Sequence, residues 1–507
     1  MNRATFVIRD SVPGLVLFLL VCLAIMTGVL MVLDTRLIAL IVVLFLAVIL
    51  AWRGPGVVIA LYIFVCADIF AQETLPVLSL GTGSLTPADL LLMVLAFSLL
   101  LHLDEARAVW RRLPFVIRAG YLIWLLVLTC RVGLSLIANE LVANQVIREA
   151  RVFLPYMMFV PLLMRMRSQR HVLTIMLFYL AVGVSTSVVT LLTQLGVVVP
   201  HSIGLQLSIG TMYGVSRVVS AGELFQLSAF ILGFSLVLLF NMPRRRKVLI
   251  TFAAIICLVA VTIGFRRTYV IVTLLFFCAF YGVQLVRSGL RLERVWVGVV
   301  LVACAFVFLS MLVDLSSVYL RLQSIVPAVL EQNDTVGDRI AEWNLAWNSF
   351  VKAPFFGIGI GAYYGKFTGN DWMGYVSQSY IHNMYLWLMT KTGIVGLLGF
   401  LAWVTAALRS SIQALGARDA FRSNVATVSL LLWLSLLTIG FWEAGFSSLT
   451  WSTNFVLAFA FSAYSARNEM GSVDLGTCSV RSDPITVPQS ECLSSKRHAG
   501  NGLSCGK

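Results

Sequence analysis

Long apolar stretches follow one another along most of the chain, from about residue 13 to residue 466, and short polar turns separate them. Most of them approach the ~20 residues that an α-helix needs to cross a bilayer core about 30 Å thick. The pattern predicts about 12–14 membrane-spanning helices. Their approximate positions are 13–33, 37–51, 55–71, 86–103, 119–137, 152–165, 172–195, 222–241, 247–265, 268–286, 295–313, 383–408, 424–441 and 449–466.

The composition agrees with this pattern and excludes a water-soluble domain. Apolar residues make up 59% of the 507-residue chain and charged residues 12%, whereas soluble proteins carry about 25% charged residues. The sequence lacks the short alternating segments of an outer-membrane barrel, so we predict an all-α polytopic membrane protein. The stretches at 37–51 and 152–165 are short for a bilayer and are expected to be interfacial or strongly kinked.

The basic residues lie mainly in loops on one side of this predicted topology. By the positive-inside rule that side is cytoplasmic, and both termini join it. The formal charge of +14 is therefore expected for a membrane protein and does not indicate a nucleic-acid partner. The basic loop residues are Arg107, Arg111, Arg112, Arg118, Arg165, Arg167, Arg170, Arg244, Arg245, Arg246, Lys247, Arg287, Arg291, Arg294, Arg409, Arg418 and Arg422.

This sidedness places two long irregular connections, residues 196–221 and 314–382, on the outer side. Function is therefore expected to face outward, with a catalytic loop at about 314–382. We predict one transmembrane domain over residues 1–466. Residues 467–507 are rich in Ser, Gly and Cys and are predicted to form a disordered cytoplasmic tail.

Two adjacent arginines, Arg266 and Arg267, lie in the sequence TIGFRRTYV on the predicted outer face. The turn that holds them is too short to be a loop, and two neighbouring guanidinium groups at that depth repel each other unless an anion neutralises them. The pair therefore predicts an anion site. The alternatives are an error in the predicted helix boundary and snorkelling of both side chains to lipid phosphates.

The outer segment EQNDTVGDRIAEWNLAWNSFVKAPFFGIGIG predicts a short helix and then a turn. Asp338 is expected to cap the helix, and Pro354 to end it. Arg339, Trp343 and Trp347 recur at helical spacing and would share one face. This face is a second candidate anion site.

Three glycines, Gly357, Gly359 and Gly361, follow that proline. They permit backbone conformations closed to other residues, and exposed N–H groups in this run would suit a phosphate or a sugar. The run lacks the strand and the βαβ setting of a dinucleotide fold, so it does not favour NAD binding.

The segment SQSYIHNMYLWLMTKTGIVGLLGFLAWV is expected to begin a helix capped by Ser377 or Ser379. His382 and Asn383 would lie in its first turns at the membrane surface. A lone histidine there is often only an interfacial polar residue, but beside arginines it could accept a proton from a sugar hydroxyl. Glu443, in the last outer turn, would pair with an arginine, assist the histidine or have no catalytic role.

Other outer charges carry less information. Arg131 could extend an outer electropositive groove, and so could Arg148 and Arg151. The equal alternative for Arg148 is a surface ion pair with Glu149 of little energetic weight. Asp34 is a further candidate for a catalytic acid.

These motifs resemble the O-antigen ligase and polymerase superfamily of membrane glycosyltransferases. The resemblance lies in the order of the motifs along the chain. An arginine turn between two spans comes first, and it is followed by DRIAEWNLAWNSFVKAPFFGIGIG and then by YIHNMYLWLMTKTGIVGLLGF. It is specific over about residues 260–405 and only topological elsewhere. The positions that match the family pattern are Arg339, Trp343, Pro354, Gly357, Gly359, Gly361, His382, Asn383, Gly393 and Gly396.

The resemblance implies a GT-C-like fold in a bacterial inner membrane, with an active site that faces the periplasm. It implies an undecaprenyl-pyrophosphate-linked glycan donor, a lipid A core or lipid-linked glycan acceptor, and no cofactor or required metal. By position, Arg266 and Arg339 would hold the pyrophosphate and His382 would lie beside the acceptor, so these three are the expected catalytic residues. The family often has Ser before the first arginine, where this chain has Phe265. The expected substrate contacts are Arg267, Asn383, Trp343, Gly357, Gly359, Gly361 and Glu443.

The sequence leaves the reaction partly open. Ligase and polymerase share donor chemistry, so both remain, together with glycosylation of a protein. The alternative from another class is a secondary transporter or flippase of a lipid-linked or anionic substrate, although transporters usually hold their charges near the bilayer midplane. The chain has no GxxxxGK[ST] loop, which argues against ATP-driven export.

Overall fold

The structure is a computed structural model, in which part of the chain is described. The described residues are 55–67, 78–80, 83–137, 143–195, 208–212, 215–219, 222–264, 267–288, 334–364, 381–443, 446 and 448–467, with residues 49, 197, 296, 298–300, 303 and 307. The predicted spans at 13–33, 37–51 and 295–313 therefore lie almost wholly outside it. The predicted tail lies outside it as well, apart from Arg467.

Helices make up nearly all of the described structure, with two short antiparallel hairpins. A 3₁₀ helix, Arg151–Met158, lies between α5 and α6. The elements in chain order are α1 (Gly56–Cys66), β1 (Leu78–Leu80), β2 (Gly83–Leu85), α2 (Pro87–Leu101), α3 (Leu103–Arg111), α4 (Phe115–Ile137), α5 (Ala143–Ala150), α6 (Phe159–Arg165), α7 (Gln169–Gln194), β3 (Ser208–Met212), β4 (Val215–Val219), α8 (Glu223–Leu239), α9 (Arg244–Ile263), α10 (Arg267–Ser288), α11 (Asp334–Lys352), α12 (Met384–Ala414), α13 (Ala420–Gly440) and α14 (Leu449–Ser465).

Six of the described helices, α4, α7, α9, α10, α12 and α13, are long and apolar enough to cross a membrane. The pair α2 and α3 passes the same test together but is bent by 83°. The all-α polytopic class is therefore confirmed. The number of 12–14 spans stays a prediction, because several predicted spans lie outside the described residues.

The stretch 152–165, expected to be interfacial or kinked, is not one continuous α-helix, because a 3₁₀ helix that contains Pro155 precedes α6. The structure differs from the predicted elements in two places. A segment predicted as a cytoplasmic loop forms the amphipathic helix α3 beyond the bend. Within the connection predicted to be irregular at 196–221, β3 and β4 form a hairpin, paired from Ser208 with Val219 to Met212 with Val215.

Large aromatic side chains fill the space between α4, α12, α13 and α14. Trp124, Trp403 and Trp433 are fully buried. The rings of Trp124 and Trp403 stack with centroids 6.1 Å apart, and Trp403 meets Trp433 edge to face at 5.2 Å. Trp433 Nε1 donates a hydrogen bond to Ser462 Oγ of α14 at 3.2 Å. Such ring pairs contribute about 0.5–1.5 kcal/mol each beyond the area that they bury, so they fix the four helices relative to one another.

Helix α12 is broken at Gly393, where φ is 69° and ψ is −170°. Residues 353–361, which we call the glycine loop, pack into the break. The N–H of Ile358 donates to the carbonyl oxygen of Thr390 at 2.8 Å, and the N–H of Ile394 donates to that of Pro354, also at 2.8 Å. The loop thus supplies the backbone partners that the break removes from the helix.

Basic segments from several predicted cytoplasmic loops meet at the other end of α12 and α13. Arg422 Nη1 donates to the carbonyl oxygen of Arg467 at 2.7 Å, and Arg467 Nη1 donates to that of Met166 at 2.9 Å. Arg167 forms an ion pair with Glu105. Burial lowers the pKa of the Arg467 guanidinium to about 10, so it stays charged at neutral pH. The predicted sidedness requires these loops to share one end of the bundle.

Gly393→Ala should destabilise the protein strongly, whereas Gly282→Ala should not. A Cβ at Gly393 would overlap the carbonyl oxygen of Phe355, and the backbone there adopts a conformation that is almost exclusive to glycine. The expected cost is about 3 kcal/mol or more. A Cβ at Gly282 in α10 would meet no atom within 4 Å, so this matched variant should stay within about 1 kcal/mol of wild type.

Tryptophan fluorescence of the detergent-solubilised protein during heating would report both melting temperatures. Equal melting temperatures for the two variants would contradict a sterically required glycine in α12.

Candidate functional site

Helix α11 begins at Asp334, four residues earlier than the predicted cap at Asp338. It ends at Lys352, in agreement with a break before Pro354. Glu342 and Ala346, one turn apart, are buried, whereas Asn344, Trp347 and Asn348 are exposed. The helix therefore turns one face towards the protein, and that face carries a buried carboxylate.

The Glu342 carboxylate holds His382 at two points. Glu342 Oε2 accepts hydrogen bonds from the backbone N–H of His382 at 3.1 Å and from the ring Nδ1 of His382 at 3.0 Å. Glu342 is 7% exposed, and the His382 side chain is 23% exposed. The imidazole is thus fixed to α11 while part of its surface remains accessible.

Asn383 sets the position of His382 along the chain. Its side-chain Oδ1 accepts a hydrogen bond from the backbone N–H of Leu386 at 3.0 Å, so Asn383 is the N-cap of α12. The prediction that Ser377 or Ser379 caps this helix, with His382 and Asn383 inside it, was wrong. His382 lies instead just before the helix, because the side-chain oxygen of Asn383 accepts the N–H of Leu386 in the first turn.

Tyr364 supports the same carboxylate from the other side. Its hydroxyl donates to Glu342 Oε1 at 3.2 Å. Burial and the charge of Glu342 raise the pKa of the Tyr364 phenol, so it stays protonated and remains a donor. With Nδ1–H donating to Glu342, a neutral His382 carries its lone pair on Nε2, a proton position assigned from this hydrogen-bond network.

Arg339 lies one turn before Glu342 on α11, a spacing that puts their Cβ atoms about 5–6 Å apart. Arg339 Nη1 donates to the carbonyl oxygen of Trp442 at 2.9 Å, and Nη2 lies 4.0 Å from Glu443 Oε1. The Arg339 side chain is 31% exposed. A guanidinium group has five N–H donors, so these two contacts leave it capacity to bind an anion.

Aromatic rings adjoin this arginine. The Trp343 ring packs edge to face on Phe441 with centroids 5.9 Å apart and lies 6.1 Å from the Trp442 ring. Trp442 is 37% exposed and Phe441 is 44% exposed. Trp343, which the sequence pointed to, is the inner member of this group. The more exposed Trp442 lies two residues after the end of α13, and the sequence reasoning did not single it out.

The N–H groups of the three predicted glycines are already engaged. Gly357 donates to the carbonyl oxygen of Ala353 at 2.8 Å, and Gly359 donates to that of Lys391 at 3.1 Å. Gly361 donates to Glu149 Oε2 at 2.6 Å. The expectation that these groups are exposed was therefore wrong, because the end of the preceding turn, the break in α12 and the carboxylate on α5 each supply an acceptor within the protein.

A buried ion pair holds α5, the glycine loop and α12 together. Lys391 is 0% exposed, and its Nζ lies 3.0 Å and 3.1 Å from the two carboxylate oxygens of Glu149. Lys391 Nζ also donates to the carbonyl oxygen of Ala362. The prediction of a surface pair between Arg148 and Glu149 was wrong, since Glu149 faces inward. A lone lysine in an apolar span was a signal that the sequence reasoning missed.

Two further arginines have buried partners. Arg131, on α4, is 7% exposed, and its Nη2 lies 3.4 Å from the carbonyl oxygen of Lys391 and 3.5 Å from that of Gly357. Arg151 Nε lies 3.4 Å from Asp89 Oδ2. Neither contact extends an outer groove. Both contacts connect separate helices of the bundle. Arg131 connects α4 to the break in α12, and Arg151 connects the 3₁₀ helix to α2.

The predicted arginine turn is only partly covered by the structure. Arg266 lies outside the described residues, as does Asp34. Arg267 begins α10, but the placement of its side chain is not described. Their proximity to Arg339 and His382 stays a prediction.

The fold defines an all-α polytopic membrane protein, in which Glu342, one helical turn after Arg339 on α11, holds the His382 imidazole. Residues 252–401 match the family described as O-antigen ligase, which confirms the resemblance drawn from the sequence. The matched stretch contains Arg339, Glu342 and His382, whereas Trp442 and Glu443 lie beyond it. No curated protein matches the chain at a significant level.

Lys391→Met should destabilise the protein by about 3–5 kcal/mol, because it leaves the Glu149 carboxylate without its buried cation. The double variant Glu149→Gln/Lys391→Met should recover most of this loss, since no buried charge then lacks a partner. Lys352→Met, at the exposed end of α11, is the matched control and should stay near wild type. The melting temperatures in detergent of wild type, Glu149→Gln, Lys391→Met and the double variant measure the coupling, and Lys352→Met is measured beside them. Additive effects of the two single changes would exclude a coupled pair.

Proposed function

We propose that this protein is a membrane glycosyltransferase of the O-antigen ligase or polysaccharide polymerase type. It moves a glycan from an undecaprenyl-pyrophosphate-linked donor onto an acceptor sugar hydroxyl, without a metal. One observation carries the proposal. Glu342 holds the His382 imidazole, Arg339 lies one helical turn before Glu342, and all three residues fall within the stretch matched to the O-antigen ligase family.

The donor side needs positive charge. As the bond between sugar C1 and the phosphate oxygen breaks, its electron pair leaves with undecaprenyl pyrophosphate, and negative charge grows on that group. Arg339 offers a guanidinium that stays charged at physiological pH and can form paired hydrogen bonds to phosphate oxygens. We assign the same role to Arg266, with Arg267 as a neighbouring phosphate contact. Charge stabilisation of this kind is usually the largest catalytic effect.

The acceptor side needs a group to receive a proton. The acceptor hydroxyl oxygen forms the new bond to C1, and its proton passes to Nε2 of His382. The hydroxyl can lose this proton late, because the transition state resembles an oxocarbenium ion. His382 therefore positions the hydroxyl first and acts as a base as the bond forms.

Aromatic and polar groups around Arg339 suit a glycan chain. Sugar rings have apolar C–H faces that stack on aromatic rings, and Trp343 with the exposed Trp442 offers such a surface. Glu443 would accept hydrogen bonds from sugar hydroxyls, and the amide NH₂ of Asn383 can donate one while its oxygen caps α12. The glycines at 357, 359 and 361 contribute by holding the loop in place.

We place the protein in a bacterial inner membrane with this site facing the periplasm. The positive-inside rule supports this orientation, because Arg422, Arg467 and Arg167 lie at the end of the bundle away from the glycine loop. A site at the periplasmic surface can meet both a lipid-linked donor and a lipid-linked acceptor.

The break in α12 and the charge at Lys391 are features that transporters also use. In transporters, carbonyl groups freed by a broken helix bind the coupling ion. Here the carbonyl oxygens of Thr390 and Lys391 accept hydrogen bonds from the glycine loop, and Arg131 lies beside the second. The break is therefore filled by protein backbone, which favours the transferase.

His382→Ala and Arg339→Ala should each lower glycan transfer by about 100-fold or more. Arg339→Lys should restore little of the glycan transfer that Arg339→Ala loses, because an ammonium group lacks the planar fork of the guanidinium group. Arg107→Ala and His171→Ala are the matched controls, since Arg107 is exposed, His171 is half-buried, and both lie in segments predicted to be cytoplasmic. Surface polysaccharide on gels is the readout, and immunoblots should show equal protein in the membrane. Normal polysaccharide in an Arg339→Ala strain would defeat the proposal.

Deletion of the gene should remove a surface glycan, and which glycan is lost separates the possible acceptors. Loss of all O-chain with accumulated lipid-linked polymer indicates a ligase. A single repeat left on the lipid A core indicates an O-antigen polymerase, and unchanged lipopolysaccharide with missing capsule or slime indicates an exopolysaccharide polymerase. Lipopolysaccharide gels and a capsule assay give the answer. A deletion strain with every surface glycan intact would contradict glycan transfer.

A further inference from the structure

We infer that Glu342 is a positioning residue, which fixes the His382 ring in one orientation and one tautomer so that Nε2 is presented to the acceptor hydroxyl. This inference rests on the proposed function, because only a reaction that moves a proton to His382 requires the ring to be oriented in this way. Glu342 lies three residues after Arg339 in the sequence, and the sequence reasoning did not single it out.

The geometry restrains the ring at two points. One oxygen of Glu342 accepts from both the backbone N–H and the ring Nδ1 of His382, at 3.1 Å and 3.0 Å. An imidazole that contacts only solvent rotates about its side-chain bonds, whereas this double contact ties the ring to its own backbone. The ring edge that carries Nε2 is then turned away from Glu342.

The carboxylate is itself held in place. Its other oxygen accepts a hydrogen bond from the Tyr364 hydroxyl at 3.2 Å, and the side chain is 7% exposed on the inner face of α11. Arg339, the nearest cation along the helix, makes its contacts with Trp442 and Glu443. These contacts leave the charge of Glu342 directed at His382.

The charge also has a role during transfer. When Nε2 receives the acceptor proton the ring becomes an imidazolium, and a carboxylate at Nδ1 stabilises that cation without taking the proton itself. Partners of this kind also fix the tautomer of the imidazole, and their removal typically costs about 10–100-fold in activity.

Nitrogen NMR of histidine tests the tautomer directly. The chain has five histidines, so ¹⁵N-histidine labelling of the protein in nanodiscs gives few signals, and His382→Ala identifies the one of interest. In the neutral form of the ring, we expect wild type to show Nδ1 protonated and Nε2 unprotonated, with spectra recorded over a pH series so that this form is observed. Glu342→Gln, whose amide oxygen can still accept, should keep this tautomer, and Glu342→Ala should give a mixture. A neutral wild-type ring protonated on Nε2, or an unchanged signal in Glu342→Ala, would overturn the inference.

Kinetics of the same variants test whether the orientation of the His382 ring affects the rate of glycan transfer. With lipid-linked glycan extracted from the deletion strain as donor, kcat should fall about 10-fold in Glu342→Gln and about 100-fold in Glu342→Ala. The KM for donor should stay near wild type, because Arg339 is intact. Asn344→Ala, on the exposed side of α11, is the matched control and should leave both constants unchanged.

The outcomes separate this inference from the proposed function. If His382→Ala abolishes transfer while Glu342→Gln and Glu342→Ala keep the wild-type kcat, the inference fails and the glycosyltransferase stands. If His382→Ala transfers normally, both fail. Glu342→Gln guards against a folding defect in Glu342→Ala, since it keeps the size and the acceptor of the original side chain.

Discussion

The break in α12 imposes the main physical constraint on this structure. Within a membrane every backbone N–H and C=O needs a partner from the protein, because the lipid core offers none. At Gly393 the helix loses some of its own hydrogen bonds. The glycine loop replaces them, because the N–H groups of Ile358 and Gly359 donate to α12 and the carbonyl oxygen of Pro354 accepts from Ile394. The close approach of the loop backbone to the α12 backbone requires glycine in both, at Gly357 and at Gly393. A Cβ at Gly357 would lie 2.5 Å from the carbonyl carbon of Lys391.

This constraint positions the candidate site. The glycine loop follows directly after α11, so its fixed place against α12 also fixes the end of α11. The Lys391 and Glu149 pair adds α5 to the same assembly, and Arg131 adds α4. Glu342 on α11 and His382 before α12 are thus brought together by rigid neighbours, and rigid support of this kind is what an imidazole needs to serve as an aligned base.

The two halves of the proposed chemistry differ in their electrostatic demands. A pyrophosphate leaving group needs a permanent cation, which Arg339 supplies near the protein surface. The acceptor needs a group that can gain and lose a proton, which His382 supplies beside a carboxylate. Glu342, which holds His382, lies one helical turn after Arg339 on α11, and this arrangement supports the proposal that both groups serve one reaction. The aromatic residues Trp343 and Trp442 provide the surface on which a sugar ring can lie beside them.

The sequence by itself determined the all-α membrane class, most of the described spans and the resemblance to O-antigen ligases. It also identified Arg339 and His382 as candidate site residues. Hydrophobic runs and short motifs are local, and they can be read without knowing what they touch. It did not reveal Glu342, Glu149 or the engaged glycine N–H groups. Only the tertiary structure decided these, because Glu149 and Lys391 are far apart in the chain, and a carboxylate acquires its role from the side chain that folding brings to it.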